Sequence, residues 1–409
     1  MMQTETIVTG QQVGLLGGPL YTTYKVLGAV WLARKENRMP VYWLETNDAD
    51  FQEISVIDFI DRDGQLRHLV WQKETGGLSC GQIQVDARLI EILETFFGFL
   101  TPTEFTLGLK GLVMAAYQEG RELGQASLDL ARTIYPFPDL QFFDPRDPAF
   151  RAFCRPILQP LFEGTPQGGQ CPGFIDDKGV RRAVFRSEHG FVLREGKEVD
   201  LGAYPLLPNV HTRPLCQDAW FHTSAYIAGP GEMTYLRTLG DLYRRCDVQQ
   251  PRLVPRMSVT LVEPWSLRQL HKLGLSAEAA VGMTVSQAKG TLVSRQEGFN
   301  LKEIEQKAEA LSQEYVNRMA ALHPDFTVLR HALRQETKLV MGSIRKNSRE
   351  RNAGDLERLD KLFVRLRPFE KPQERVFNLF YYMNLYGGLD FVGDLLKRYD
   401  PEASFLEVL

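Results

Sequence analysis

Four loops of this 409-residue chain gather the groups that could do chemistry. The first is Gly10-Gln11-Gln12-Val13-Gly14-Leu15-Leu16-Gly17-Gly18-Pro19, set between the β-branched run Thr6–Thr9 and a helical stretch from Tyr21 to Arg38. A strand, a glycine loop and a helix in series aim backbone N–H groups and a helix N-terminus at one point, which suits a phosphate or a carboxylate. The candidate anion-binding residues are Gly10, Gln11, Gln12, Gly14, Gly17, Gly18, Tyr21, Thr22 and Lys25. Lys25, about one turn inside the helix, would act as a point charge. No Lys-Ser/Thr follows the last glycine, and the spacing is not GxGxxG, so neither common phosphate motif is present. A tight turn that packs strand on helix reads these glycines equally well.

The second loop, Glu45 to Asp50, follows the apolar run Val41-Tyr42-Trp43-Leu44. Asp48 and Asp50 could hold an ammonium group, a ribose hydroxyl or Mg²⁺. Alternatively, Asn47 and Asp48 cap the next element.

The third loop is the richest. Asn209, His211, Arg213, Gln217, Asp218 and His222 crowd ahead of an apolar strand. Arg213 precedes a proline, which favours extended backbone. A guanidinium fixed at a strand edge suits a bidentate grip on a carboxylate; an interdomain salt bridge is the other reading. His211, Cys216 and His222 match no common zinc spacing, so no structural metal is expected. Gly229-Pro230-Gly231-Glu232 then forms a second strand–glycine–helix junction. Glu232 in the first helical turn would meet the helix dipole favourably, or serve in catalysis or amine binding. The fourth loop, Val254 to Ser258, brings Arg256 over the same crevice.

The elements that must position these loops alternate strand and helix. Val41–Leu44, Leu140–Phe143, Thr223–Ala228 and Arg252–Val254 read as strands, and buried apolar runs of this kind suit a parallel sheet covered on both faces. Helices are expected over Leu107–Leu123 and Met233–Arg245. Val180–Phe185 and Phe191–Arg194 alternate apolar and polar residues around Ser187-Glu188-His189-Gly190, a hairpin signature. From Glu263 the chain turns helical. Leu301, Ile304, Ala308, Leu311, Tyr315 and Leu322 fall on heptad a and d positions, with Arg318 as the exception and a stop at Pro324. Second and third helices follow, as a coiled coil or a bundle. The expected divisions are 1–150 and 204–262 for two halves of a core, 151–203 for a small insertion with a hairpin, and 263–409 for the helical region.

Hydrophobic residues at 44% and charged residues at 24% mark a globular chain. A net charge of −3 argues against a polyanion binder, so no nucleic-acid partner is expected. Met1–Glu5 lacks a basic segment leading into an apolar core, and no apolar stretch spans a bilayer, so neither a signal peptide nor a membrane partner is expected. Five scattered cysteines form no disulfide framework, which suits a reduced, cytoplasmic protein.

GQQVGLLGGPLYTTYK, PVYW with its acidic follow-on, NVHTRPLCQDAW, AYIAGPGEMTYL, LVPRMSVTLVE and PQERVFNLFYYMNLYG occur in this order. Together they resemble the successive motifs of the BshC family, the cysteine ligases of bacillithiol biosynthesis. The resemblance implies an α/β fold: a Rossmann-like parallel-sheet core related to class I aminoacyl-tRNA synthetases, a small antiparallel insertion, and a C-terminal α-helical coiled coil or bundle that makes a homodimer. It implies an ATP-dependent ligase, with or without Mg²⁺, joining cysteine to glucosaminyl-malate. On that reading Asp48, Asp50 and Glu232 stand at catalytic positions. Asn209, Arg213, Gln217, Asp218, Tyr235 and Arg256 would bind substrate, and the Gly10–Lys25 segment would bind the nucleotide. The family's acidic loop typically reads Glu-Asp-His-Asp, whereas this chain has Asn47-Asp48-Ala49-Asp50. Ala49 cannot transfer a proton. The alternative is therefore a catalytically altered or inactive paralogue that binds nucleotide or thiol.

Overall fold

The computed structural model describes residues 5–297, 301–320 and 327–408. They form two units. The first joins the chain up to Val259 with Glu374–Ala403, and the second joins Thr260–Gln373 with the chain from Ser404. The expected helical region 263–409 is thus divided between the two.

In the first unit, β1 (Thr6–Gln12) leads through a loop into helix α1 (Leu20–Glu36) and on to β2 (Met39–Glu45). A hairpin follows, β3 (Val56–Ile60) with β4 (Leu66–Val70), an antiparallel pair outside the expected strand–helix alternation. After three helices comes β5 (Gln141–Phe143). The insertion contributes β6 (Gln170–Asp177), β7 (Val180–Arg186), β8 (Phe191–Leu193), β9 (Glu198–Val199) and β10 (Leu206–Pro208). The core resumes with β11 (Thr223–Ala228) and β12 (Arg252–Pro255).

The main sheet runs β12-β11-β1-β2-β5, and each neighbouring pair is parallel. The chain winds outward from β1 in both directions, so the strand order reverses beside β1. Open α/β sheets bind ligands at that point, outside the carboxyl ends of the strands. The sheet is buried on both faces, which explains the apolar runs at Ile7-Val8 and Val41–Leu44. α1 is buried almost all round, from Leu20 through Ala33, and so shows no single apolar stripe. It stops at Asn37, whose left-handed backbone (φ 53°) lets its N–H reach the Ala33 carbonyl. Gly28 lets α1 approach its neighbours: a Cβ there would lie 2.5 Å from the Tyr399 hydroxyl and 3.1 Å from Ile227.

The insertion is an antiparallel sheet of order β10-β6-β7-β8-β9. Phe150, Cys154, Leu158 and Phe162, spaced along one face of the Pro148–Glu163 helix, pack into the same core as Cys171, Ile175 and Val184 of that sheet. The hairpin expected around residues 187–190 is its β7–β8 pair.

The helix expected over 107–123 stops at Ala116, and a separate helix, Leu123–Ile134, follows it. The one expected over 233–245 divides into Pro230–Leu236 and Gly240–Arg245, joined by a 3-10 turn.

The second unit holds β13 (Thr260–Val262) paired in parallel with β14 (Phe405–Glu407). The unit's helices are Pro264–Leu273, Ala277–Val281, Val285–Glu297, Leu301–Ala320, Thr327–Arg351 and Ala353–Leu366. Leu270, Leu273, Leu292, Leu359, Leu362, Phe363 and Leu366 form its core. Leu301–Ala320 lies along Thr327–Arg351, as the heptads require. Leu322 and the stop expected at Pro324 lie outside the described residues. Among the described residues, no helix is long and apolar enough to cross a membrane.

Candidate functional site

A cavity of about 420 Å³ opens at the carboxyl ends of β1, β2 and β11, where the strand order reverses. Gly10, Gln11 and Gln12 come to it from β1, Trp43 and Glu45 from β2, and Gly229, Gly231, Glu232 and Tyr235 from the junction after β11. Tyr21 and Lys25 reach it from α1, Arg213 from the Thr212–Phe221 helix, and Arg256 from beyond β12. Asp48, Glu53, Val210 and Arg375 complete the wall. Ten residues expected from the sequence therefore meet here: Gly10, Gln11, Gln12, Tyr21, Lys25, Asp48, Arg213, Glu232, Tyr235 and Arg256.

A chain of charges crosses the cavity. Buried Lys25 donates to the Glu232 carboxylate at 2.7 Å and to the Gly10 carbonyl. Glu232 also accepts from the Tyr226 hydroxyl at 2.8 Å. Arg213 stands 4.0 Å from Glu232 and 3.8 Å from Glu45. Burial pushes the Glu232 carboxyl up, but Lys25 and Arg213 outweigh it and hold the group below the ordinary carboxylate range. Glu45 goes the other way: burial raises it, and Arg213 and the Trp43 indole N–H offset only part of that. Arg213 is steadied by Gln217 Oε1 at 2.9 Å and by the Tyr235 hydroxyl. A second acidic cluster is organised by Gln12, whose amide donates to Asp48 at 2.6 Å and to Glu53 at 3.0 Å.

The structure leaves several expected residues outside the cavity wall. In the glycine loop, Gly14 N–H donates to Gln12, Gly17 N–H to Gly14, and Gly18 N–H to Leu15. Leu16 N–H donates to the Tyr117 hydroxyl, and Leu20 N–H at the start of α1 donates to Phe377. Those amides are satisfied within the fold, so Gly14, Gly17 and Gly18 make an elbow rather than an anion cradle. Gly17 and Gly18 hold φ of 80° and 76°, which favours glycine. Thr22 is fully buried behind the wall. Asp50 caps the short Phe51–Ile54 helix by accepting from Glu53 N–H, and it is exposed.

Arg213 lies in the first turn of a helix, not on extended backbone. Pro214 is tolerated there because first-turn N–H groups have no intrahelical acceptor. Asn209 is a capping residue: its side chain accepts from the His211 and Thr212 amides, and its carbonyl from Arg213 N–H. It lines a smaller neighbouring cleft with Arg181. Gln217 and Asp218 are buried behind Arg213, where Asp218 accepts from Gln217 and from the Tyr243 hydroxyl. Arg256 reaches the wall but spends its fork on Glu374 at 2.7 and 2.6 Å. His211 and His222 are exposed at opposite ends of one helix while Cys216 is buried. Among the described residues no group of three or more His, Cys, Asp or Glu is placed to hold a metal ion.

Glu45, Glu53, Glu374 and Arg375 were missed. Glu45 had a signal, because it ends the PVYW strand where a parallel sheet places ligands. Glu374 and Arg375 fall inside the PQERVFNLFYYMNLYG motif, but nothing local shows that the chain returns to β1 after residue 373.

The family described as Bacillithiol biosynthesis BshC, N-terminal Rossmann-like domain, matches residues 1–169 and 197–257. The description Bacillithiol biosynthesis BshC, C-terminal coiled-coil domain, matches residues 259–408. The chain belongs to the BshC family. The stretch between the two N-terminal matches, 170–196, covers β6, β7 and β8 of the insertion. Proteins named "Putative cysteine ligase BshC" are similar to it. That of Chlorobaculum tepidum is 27% identical, over 98% of this chain and 82% of the relative. That of Salinibacter ruber is 28% identical, over 93% and 78%. That of Bacillus cytotoxicus is 25% identical, over 97% and 82%.

Proposed function

We propose that this chain is a ligase that forms an amide between the carboxylate of cysteine and the amine of glucosaminyl-malate, with ATP as co-substrate. The observation that supports this most is the cavity at the strand-order reversal of a BshC-family core, whose wall carries fixed groups of both signs. An amine does not readily attack a carboxylate, and ATP when bound would supply the activation.

Asp48 and Glu53, oriented by Gln12, suit an ammonium group and could accept the proton that the amine sheds. Asp48 also offers one carboxylate to a Mg²⁺ ion carried by phosphates. The Lys25–Glu232–Arg213 chain fixes that side of the cavity wall in one geometry. Most of the rate gain would come from alignment and from charges fixed before the reaction starts. Ala49 is exposed and outside the cavity wall, and its amide donates to Asp48 at 2.6 Å. The cavity thus keeps its acidic cluster without an imidazole at position 49, which favours the active reading over the inactive paralogue.

Incubating the purified chain with cysteine, glucosaminyl-malate and ATP should give a cysteinyl amide by mass spectrometry, dependent on ATP. Failure to form it would sink the ligase reading. We also propose a homodimer through the C-terminal helices, where Leu311, Tyr315, Leu339 and Val340 are exposed. A cytoplasmic setting fits five free cysteines, four of them buried.

A further inference from the structure

Four cations line the cavity: Lys25, Arg213, Arg256 and Arg375. Three are answered by carboxylates. Lys25 pairs with Glu232, Arg213 sits between Glu232 and Glu45, and Arg256 is locked bidentately to Glu374. Arg375 is different. It is exposed, and among the described residues its guanidinium has no hydrogen bond or ion pair.

Its backbone is nonetheless fixed. The preceding residue, Glu374, is buried and held by Arg256 and by the Ser258 hydroxyl at 2.9 Å. Two residues further on, Phe377 is fully buried and accepts the Leu20 N–H at 2.9 Å. A free guanidinium on an anchored base is the arrangement that grips an oxyanion with little ordering cost. Tyr21 is the adjoining donor: its hydroxyl accepts from Gln11 Nε2 at 3.1 Å and keeps its own proton to give. Burial and then Glu53 raise the Tyr21 phenol, while Arg375 and Arg256 pull it the other way, so the hydroxyl lies in the field of both guanidinium groups.

We infer that Arg375, with the Tyr21 hydroxyl beside it, is the oxyanion-binding residue of the cavity, gripping a carboxylate or phosphate of the substrate. This displaces the role from Gly14, Gly17 and Gly18, whose amides are satisfied, and from Arg213 and Arg256, whose charges are answered. The ligand's identity rests on the ligase reading; the position of the grip does not. The two sources of an oxyanion are the malate carboxylates and the phosphates of ATP.

The test is calorimetric titration of the full-length chain with glucosaminyl-malate and, separately, with ATP. Arg375→Ala should weaken at least one of them about 10- to 100-fold, the value of a charge-assisted pair. Arg375→Lys should recover part of the loss, because it restores charge without the fork. Lys397→Ala, remote from the cavity, should change neither. Weakening of glucosaminyl-malate alone assigns the grip to a carboxylate, and weakening of ATP alone assigns it to a phosphate. Wild-type affinity of Arg375→Ala for both ligands overturns the inference, and the ligase reading survives if the amide still forms. Binding that depends on Arg375 in a chain that makes no amide leaves the inference standing and removes the ligase reading. A wild type that binds neither ligand overturns both.

Discussion

Lys25 and Glu232 stand 207 positions apart in the chain and 2.7 Å apart in the fold. Lys25 is almost wholly buried, so its charge depends on this carboxylate. Removing one partner of a buried pair leaves the other uncompensated, which costs about 3 kcal/mol or more. Glu232→Leu should lower the unfolding free energy by about that amount in urea titration. Lys25→Met together with Glu232→Leu should recover most of it, yet remain inactive because the Arg213 side of the cavity loses its anchor. Equal losses in the single and double variants would refute the pairing argument.

The elbow reading of the glycine loop predicts a stability defect without a binding defect. A Cβ on Gly14 would lie 2.7 Å from the Gly18 Cα, closer than atoms tolerate. Gly14→Ala should therefore cost about 1–3 kcal/mol, as overpacking does. Its ATP affinity, measured well below its melting temperature, should match wild type. A large loss of ATP affinity in a stably folded Gly14→Ala would restore the loop as an anion cradle.

Asp218 makes stability depend on pH. Burial raises its carboxyl from 3.8 to about 6, with Tyr243 and Gln217 offsetting part of the rise. The folded state thus holds this proton more tightly than the unfolded chain. The contribution is fully present below the ordinary value and is lost as pH climbs through about 6. Asp218→Asn removes it. The stability of Asp218→Asn minus that of wild type should rise by about 2–3 kcal/mol between pH 4 and 7. A difference that stays flat over that window would contradict the shift.

The dimer proposal rests on exposed apolar residues of the second unit. Leu311 is 65% exposed and Leu339 66%. Charged replacements, Leu311→Glu with Leu339→Lys, should leave the first unit's cavity unaltered and halve the mass found by light scattering. Wild-type chain running as a monomer at micromolar concentration would refute the dimer.

The sequence by itself determined where the central parallel strands lie and that they are buried, because a parallel strand covered on both faces reads as an apolar run. Thr223–Ala228 could be bounded from local pattern alone. It also determined that glycine junctions follow β1 and β11, and the motif order that resembles BshC. Local pattern could not decide which polar groups remain free. Gly14, Gly17 and Gly18 looked like donors, but Gln12 and Leu15 carbonyls take two of those amides within the loop. Arg256 looked like a grip until Glu374, 118 positions on, closed over it. Arg375 looked unremarkable beside it. Whether a charge is spent or available depends on partners brought in by chain return, and that return is set by packing of distant apolar residues such as Phe377 under α1. Only the tertiary structure therefore decided which cation in the cavity is left for a ligand.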